Sequence, residues 1–128
     1  MNRKIILLGA VFGLTAIIFG AFGAHALKSL LNENQLISFE TGVRYQMYHA
    51  LFLLCIASTS LVTEKAKKAI FYLVLFGILF FSGSIYLLAT NGLTSIDFKF
   101  FGPITPVGGL LLIGAWAVLF LNILKQKG

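Results

Sequence analysis

The chain has 128 residues, 59% of them hydrophobic and only 11% charged, with a mean hydropathy of +0.95. A soluble domain carries about 25% charged residues, and so short a chain cannot hide this much apolar surface behind a water-facing shell, so a soluble globular protein is excluded and an integral membrane protein fits. The net charge of +6 does not point to nucleic acid, because ten basic residues scattered over loops and ends make no binding stripe.

A membrane-crossing helix needs about 20 mostly apolar residues, and lipid offers open backbone groups no partner. Four runs meet the need, at about 5–27, 43–62, 69–90 and 107–124. The first carries Gly9 and Gly13 as a GxxxG pair, then Ala16, Gly20 and Ala24 at four-residue steps. These fall on one narrow stripe, which lets a second helix approach closely in lipid. The expected partner is another span of the same chain, with a dimer seam as the alternative. His25 lies well around the helix from Gly9. The opening Met-Asn-Arg-Lys and the small residues Ala24 and Ala26 mimic a signal peptide. The apolar run 5–24 is longer than the roughly 7–15 residues of a signal core, so the segment is expected to stay as a span.

Residues 31–41 are too polar to cross. Leu36, Phe39 and Val43 recur at helical spacing, with Glu33, Asn34 and Ser38 off that face. The spacing predicts a short amphipathic helix on the outer surface, flowing into span two. Span two holds the single cysteine, Cys55, which supports neither a disulfide framework nor a metal cluster. Span three contains Ser82, Gly83, Ser84 and Tyr86, expected to serve helix packing. Span four follows Gly102-Pro103-Ile104-Thr105-Pro106. Thr105 is a natural N-cap and Pro106 a natural first helical residue. Gly108 and Gly109 allow close backbone contact, and Trp116, mid-span, is expected to face a helix neighbour. There is no internal repeat, and the chain forms one domain.

Arg3, Lys4, Lys65, Lys67, Lys68, Lys125 and Lys127 lie on one side of these spans, against Lys28, Arg44 and Lys99 on the other. The positive-inside rule puts both termini in the cytoplasm.

The stretch ETGVRYQMYHA, residues 40–50, opens span two. On a helical projection Glu40, Thr41, Arg44, Tyr45, Tyr48 and His49 cover half the circumference. Gly42, Val43, Met47 and Ala50 fill the other half, with Gln46 the exception. Glu40 precedes Arg44 by four residues, the favoured order for an ion pair. The arc reads either as an interface belt or as an inward face, and polar groups at membrane depth favour the inward face. There it would meet His25 and Lys28, with Asp97 or Thr105 from the other outer loop. The candidate binding cluster is therefore His25, Lys28, Glu40, Arg44, Tyr45, Tyr48 and His49. The packing residues are Gly9, Gly13, Gly20, Ser82, Gly83, Gly108 and Gly109. No metal-ligand spacing, nucleophile elbow or phosphate loop is present, so no catalytic residue, metal or cofactor is expected.

GAFGAHAL (20–27), TGVRYQMYHAL (41–51), FSGSIYLL (81–88) and FGPITPVGGLLLIGAW (101–116) resemble the bacterial membrane proteins of domain-of-unknown-function family 423, to which small vertebrate transmembrane proteins are similar. The resemblance touches all four spans. It implies a small multi-span inner-membrane protein to whose family pattern the polar arc and His25 belong, and it transfers no catalytic residue. The combined expectation is an all-α membrane protein, a four-transmembrane-helix bundle with a short amphipathic outer helix. Its expected role is structural or accessory and non-catalytic, with membrane lipid or a protein partner at the outer polar face. A homo-oligomer or larger membrane complex is compatible with that role. The alternative is a small oligomeric transporter or proton-coupled channel using His25, Glu40, Arg44 and His49.

Overall fold

A computed structural model of the chain describes residues 1–93 and 102–126. Among these the protein is all-helical: α1 spans Asn2–His25, α2 Glu33–Ser58, α3 Glu64–Ala89 and α4 Ile104–Leu124, with a 3-10 turn at Asn91–Leu93. Asp97, Lys99 and Lys127 lie outside the described residues.

Local chemistry explains the helix ends. Asn32 Oδ1 accepts from Gln35 N–H at 2.8 Å, and Gln35 Oε1 accepts from Asn32 N–H at 2.9 Å. This capping box starts α2 at Glu33. The amphipathic segment expected as a short helix flowing into span two forms the first turns of α2 itself. Thr63 caps α3, its Oγ1 accepting from Ala66 N–H at 3.2 Å. Thr105 is not the cap of α4, which begins one residue earlier with Pro103 in the capping position. Pro106 then sits in the first turn, where no helical N–H is needed. The Thr105 hydroxyl is instead hydrogen-bonded to Ser84 Oγ of α3.

Helices α1, α3 and α4 are each long and apolar enough to cross a membrane. Helix α2 is not among them, because the polar run 40–49 dilutes its first half. Packing follows chain order: α1 lies on α2, α2 on α3 and α3 on α4. One core runs from Ile5 and Phe12 through Leu53 and Ile56 to Ile70, Val74 and Leu112. A second, around Leu27, Leu31, Phe39 and Ala89, closes the end that bears the link from α1 to α2. The outside is apolar too: Leu14, Ile17, Leu110, Ile113 and Phe120 are all exposed. That inside-out surface suits lipid rather than water.

The small-residue stripe of α1 is an intrachain seam. A Cβ on Gly9 would stand 3.0 Å from Ala50 O, one on Gly13 3.8 Å from Ala50 Cβ, and one on Gly20 3.4 Å from Val43. The contact of α3 with α4 is tighter, since a Cβ on Gly108 would lie 2.8 Å from Gly77 O. Gly109 has looser contact with Phe81, at 3.6 Å. Gly83, expected among the packing residues, faces open space with nothing within 4 Å of a Cβ.

Candidate polar site on α2

The half-circle on α2 does not behave as one surface. Glu40, Arg44, Tyr45 and Tyr48 are exposed, Tyr48 by 54%. His49 is 5% exposed, and Gln46, the exception in the apolar half, is 4% exposed. The face turned to the other helices is thus centred on Gly42, Gln46, His49 and Leu53 rather than on the polar arc. His25 and Lys28 are exposed near the end of α1. The structure does not gather the seven candidate residues into one pocket, because six lie on the surface and His49 lies inside. Arg44 donates to Thr41 Oγ1 at 3.2 Å, within its own helix.

The buried polar group that joins most elements is Gln46. Its Nε2 donates to Phe12 O of α1 at 2.9 Å and to Thr15 Oγ1. Its Oε1 accepts from Tyr86 O–H of α3 at 2.7 Å. One side chain thereby stitches α2 to both flanking helices. The Tyr86 ring is held between Phe19 and Phe39, with centroids 5.1 and 5.0 Å away. A turn away, Ser82 Oγ donates to Gly42 O at 2.8 Å, so the serine expected to serve packing bonds a neighbouring helix. The signal for Gln46 was its position: a polar residue on an otherwise apolar face must find buried partners.

His49 links α2 to α4. Its Nδ1 lies 2.7 Å from Tyr45 O, and its Nε2 accepts from Trp116 Nε1–H at 3.1 Å. A carbonyl can only accept and an indole N–H can only donate, so these partners select the neutral tautomer protonated at Nδ1. Trp116 also stacks on Phe52, centroids 4.1 Å apart and planes at 27°. The expectation that Trp116 meets a helix neighbour holds, although its other side is exposed. Beside this pair a cavity of about 400 Å³ is walled by Tyr45, His49, Phe81, Leu112, Ile113 and Trp116.

Among the described residues every buried side-chain nitrogen and oxygen has a hydrogen-bond partner. No cluster of three or more His, Cys, Asp or Glu among them could hold a metal ion. The arrangement holds helices together and presents an exposed polar strip of Glu40, Arg44, Tyr45 and Tyr48.

The family profile described as protein of unknown function (DUF423) matches residues 19–109. A UPF0382 membrane protein of Staphylococcus saprophyticus is 43% identical over 123 residues, covering 96% of this chain and 98% of its own. The UPF0382 membrane protein YwdK of Bacillus subtilis is 36% identical over 125 residues, again 96% and 98%. A UPF0382 membrane protein of Haemophilus influenzae is 35% identical over 127 residues, 99% and 98%. No solved structure matches. With the matched region spanning all or part of every helix described above, this chain belongs to the DUF423 family of membrane proteins.

Proposed function

We propose that the protein is a four-span, non-catalytic accessory protein of the bacterial cytoplasmic membrane, with both termini inside, whose outer polar strip is its contact surface for lipid headgroups or a protein partner. The observation that carries this reading is the division of α2. Its interior polar groups are consumed by the protein's own bonds, while Glu40, Arg44, Tyr45 and Tyr48 face outward. Among the described residues each buried side-chain nitrogen and oxygen already has a partner within the protein.

The fourth crossing is supported by packing. Helix α2 follows α1 along its length, from Phe39 beside Gly23 to Leu53 and Leu54 beside Gly9. At about 1.5 Å per residue, its 26 residues span about 39 Å, against a hydrocarbon core of about 30 Å. Its first turns then stand at headgroup depth. Leu51 and Cys55 are exposed deeper down, while Gln46 is satisfied by Phe12, Thr15 and Tyr86 and His49 by Tyr45 and Trp116.

The test is reconstitution into vesicles under an imposed pH gradient. The expected outcome is a proton flux no greater than that of empty vesicles. A flux abolished by His49→Ala, with helix content by circular dichroism unchanged, would overturn the accessory reading in favour of a proton-coupled one. Photo-crosslinking from position 48 should label headgroups or a neighbouring protein, whereas crosslinks only within the chain would remove the contact surface.

A further inference from the structure

At the end of the molecule opposite the polar strip, buried Lys67 donates to Asn2 Oδ1 at 2.9 Å and ties α3 to α1, whereas neutral groups tie α3 to α4. Thr63 N–H donates to Asn122 Oδ1 at 3.2 Å, and Asn122 Nδ2 donates to Thr63 Oγ1 at 3.1 Å. Gln126 Nε2 donates to Leu61 O at 2.7 Å. These amides hold the start of α3 to the finish of α4 without using a lysine. Thr63 Oγ1 also accepts from Ala66 N–H, which leaves its own hydroxyl hydrogen as a donor at the rim.

Between the two helices at this end lies a cavity of about 290 Å³, walled by Lys65, Lys125, Ala69, Val118 and Leu121 together with the Thr63–Asn122 clamp. The lysines are exposed and stand at the helix ends. At about 1.5 Å per residue, Ala69 lies about 6 Å deeper than Lys65, and Val118 about 10 Å deeper than Lys125. The cavity therefore has a cationic rim and an apolar floor. Helix α4, with 21 residues, is about 32 Å long, which brings Lys125 to the phosphate level of a bilayer with a core of about 30 Å. Glu64 is the single carboxylate in residues 59–68, against Lys65, Lys67 and Lys68.

We propose that this groove is a binding site for an anionic phospholipid, its phosphate between Lys65 and Lys125 and the first part of an acyl chain along Ala69, Val118 and Leu121. The site rests on the proposed function only in that α3 and α4 cross the membrane. It is independent of the outer polar strip.

Native mass spectrometry of the full chain, released from detergent with phosphatidylglycerol or phosphatidylcholine of equal chain length, tests it. The expected result is preferential retention of phosphatidylglycerol. Lys65→Ala and Lys125→Ala should each weaken it about fivefold, and together about twenty-five-fold, the factor that one basic residue at a membrane surface typically provides. Lys68→Ala, a charge at the same end that does not line the groove, should change retention less than twofold. Equal retention of the two lipids, or an equal loss in Lys68→Ala, would overturn the site in favour of general surface charge. Displacement of phosphatidylglycerol by inorganic phosphate would overturn the lipid assignment. Accessibility labelling of Gln126→Cys and Arg44→Cys in cells reports orientation separately, so a reversed topology would sink the proposed function without touching the groove.

Discussion

Helices α2 and α3 meet through polar stitches, and helices α3 and α4 meet through bare backbone between hydrogen bonds at either end, Ser84 to Thr105 and Thr63 to Asn122. The first seam has Gln46 bonded to Tyr86 and Ser82 bonded to Gly42 O. In the second, Gly108 closes on Gly77, and Leu112 covers the Gly77 position. Lipid removes the hydrophobic drive between helices, which leaves hydrogen bonds and close van der Waals approach. The α2–α3 seam leans on the first, and the α3–α4 seam adds the second at Gly77 and Gly108 to the hydrogen bonds of its ends. The devices fail differently. A polar stitch can be cut and leaves a wound of a single group. A backbone seam admits no added atom at all.

The largest effect is expected at Gly108. Gly108→Val would drive side-chain atoms into the Gly77 carbonyl and the backbone of Phe80, neither of which can rotate away. A loss of about 3 kcal/mol or more, the upper part of the overpacking range, should be measured by denaturant titration in detergent. If stability is unchanged, the two helices are not in backbone contact.

Gln46→Leu comes next. It deletes bonds to two helices and leaves the Tyr86 hydroxyl without its acceptor, which costs about 1–3 kcal/mol when the group stays dry. The double variant with Tyr86→Phe should recover part of that loss. Strict additivity of the two changes would mean that the stitch carries no coupling.

A smaller change follows from cutting His49 from Trp116. Interhelical hydrogen bonds in membranes average about 0.6 kcal/mol, so His49→Phe should destabilise by about that much. Because the chain has one tryptophan, its emission should report the loss of the imidazole acceptor directly. An unaltered spectrum would place Trp116 away from α2.

The smallest effect sharpens the contrast. Gly83 lies on α3 between the two seams yet has nothing within 4 Å. Gly83→Ala should be neutral or stabilising by up to about 1 kcal/mol, from helix propensity alone. Any clear loss would reveal a partner at that surface.

The four helices were legible because long apolar runs in lipid have few alternatives. Their ends were less so. The reading that began span two at 43, with a short amphipathic helix flowing into it, did not identify the Asn32–Gln35 capping box from which one continuous helix runs through both. Thr105 looked like a cap because caps depend on local sequence alone, whereas its hydroxyl is engaged by Ser84 across 21 residues. The polar arc was misjudged for a deeper reason. In water a polar face declares itself exposed, but in lipid either face can turn inward, so the projection left the sign of α2 open. The lone glutamine on the apolar side held the answer, because an isolated amide in that setting has to be matched by other helices. Nothing in residues 40–50 identified Phe12 O or Tyr86 as its partners, since those distances exist only once α1 and α3 are packed.

The chain-order packing also bears on biosynthesis. Each helix after α1 emerges from the ribosome with its first neighbour already made, so most contacts can form locally and early. Helix α2 is the exception in part: Phe12 and Thr15 are waiting for Gln46, but the tyrosine it accepts from is translated 40 residues later. The most polar helix of the protein is therefore made with its bonds to α1 at hand and its bond to Tyr86 still to come, so the stitch is complete only once α3 has been made.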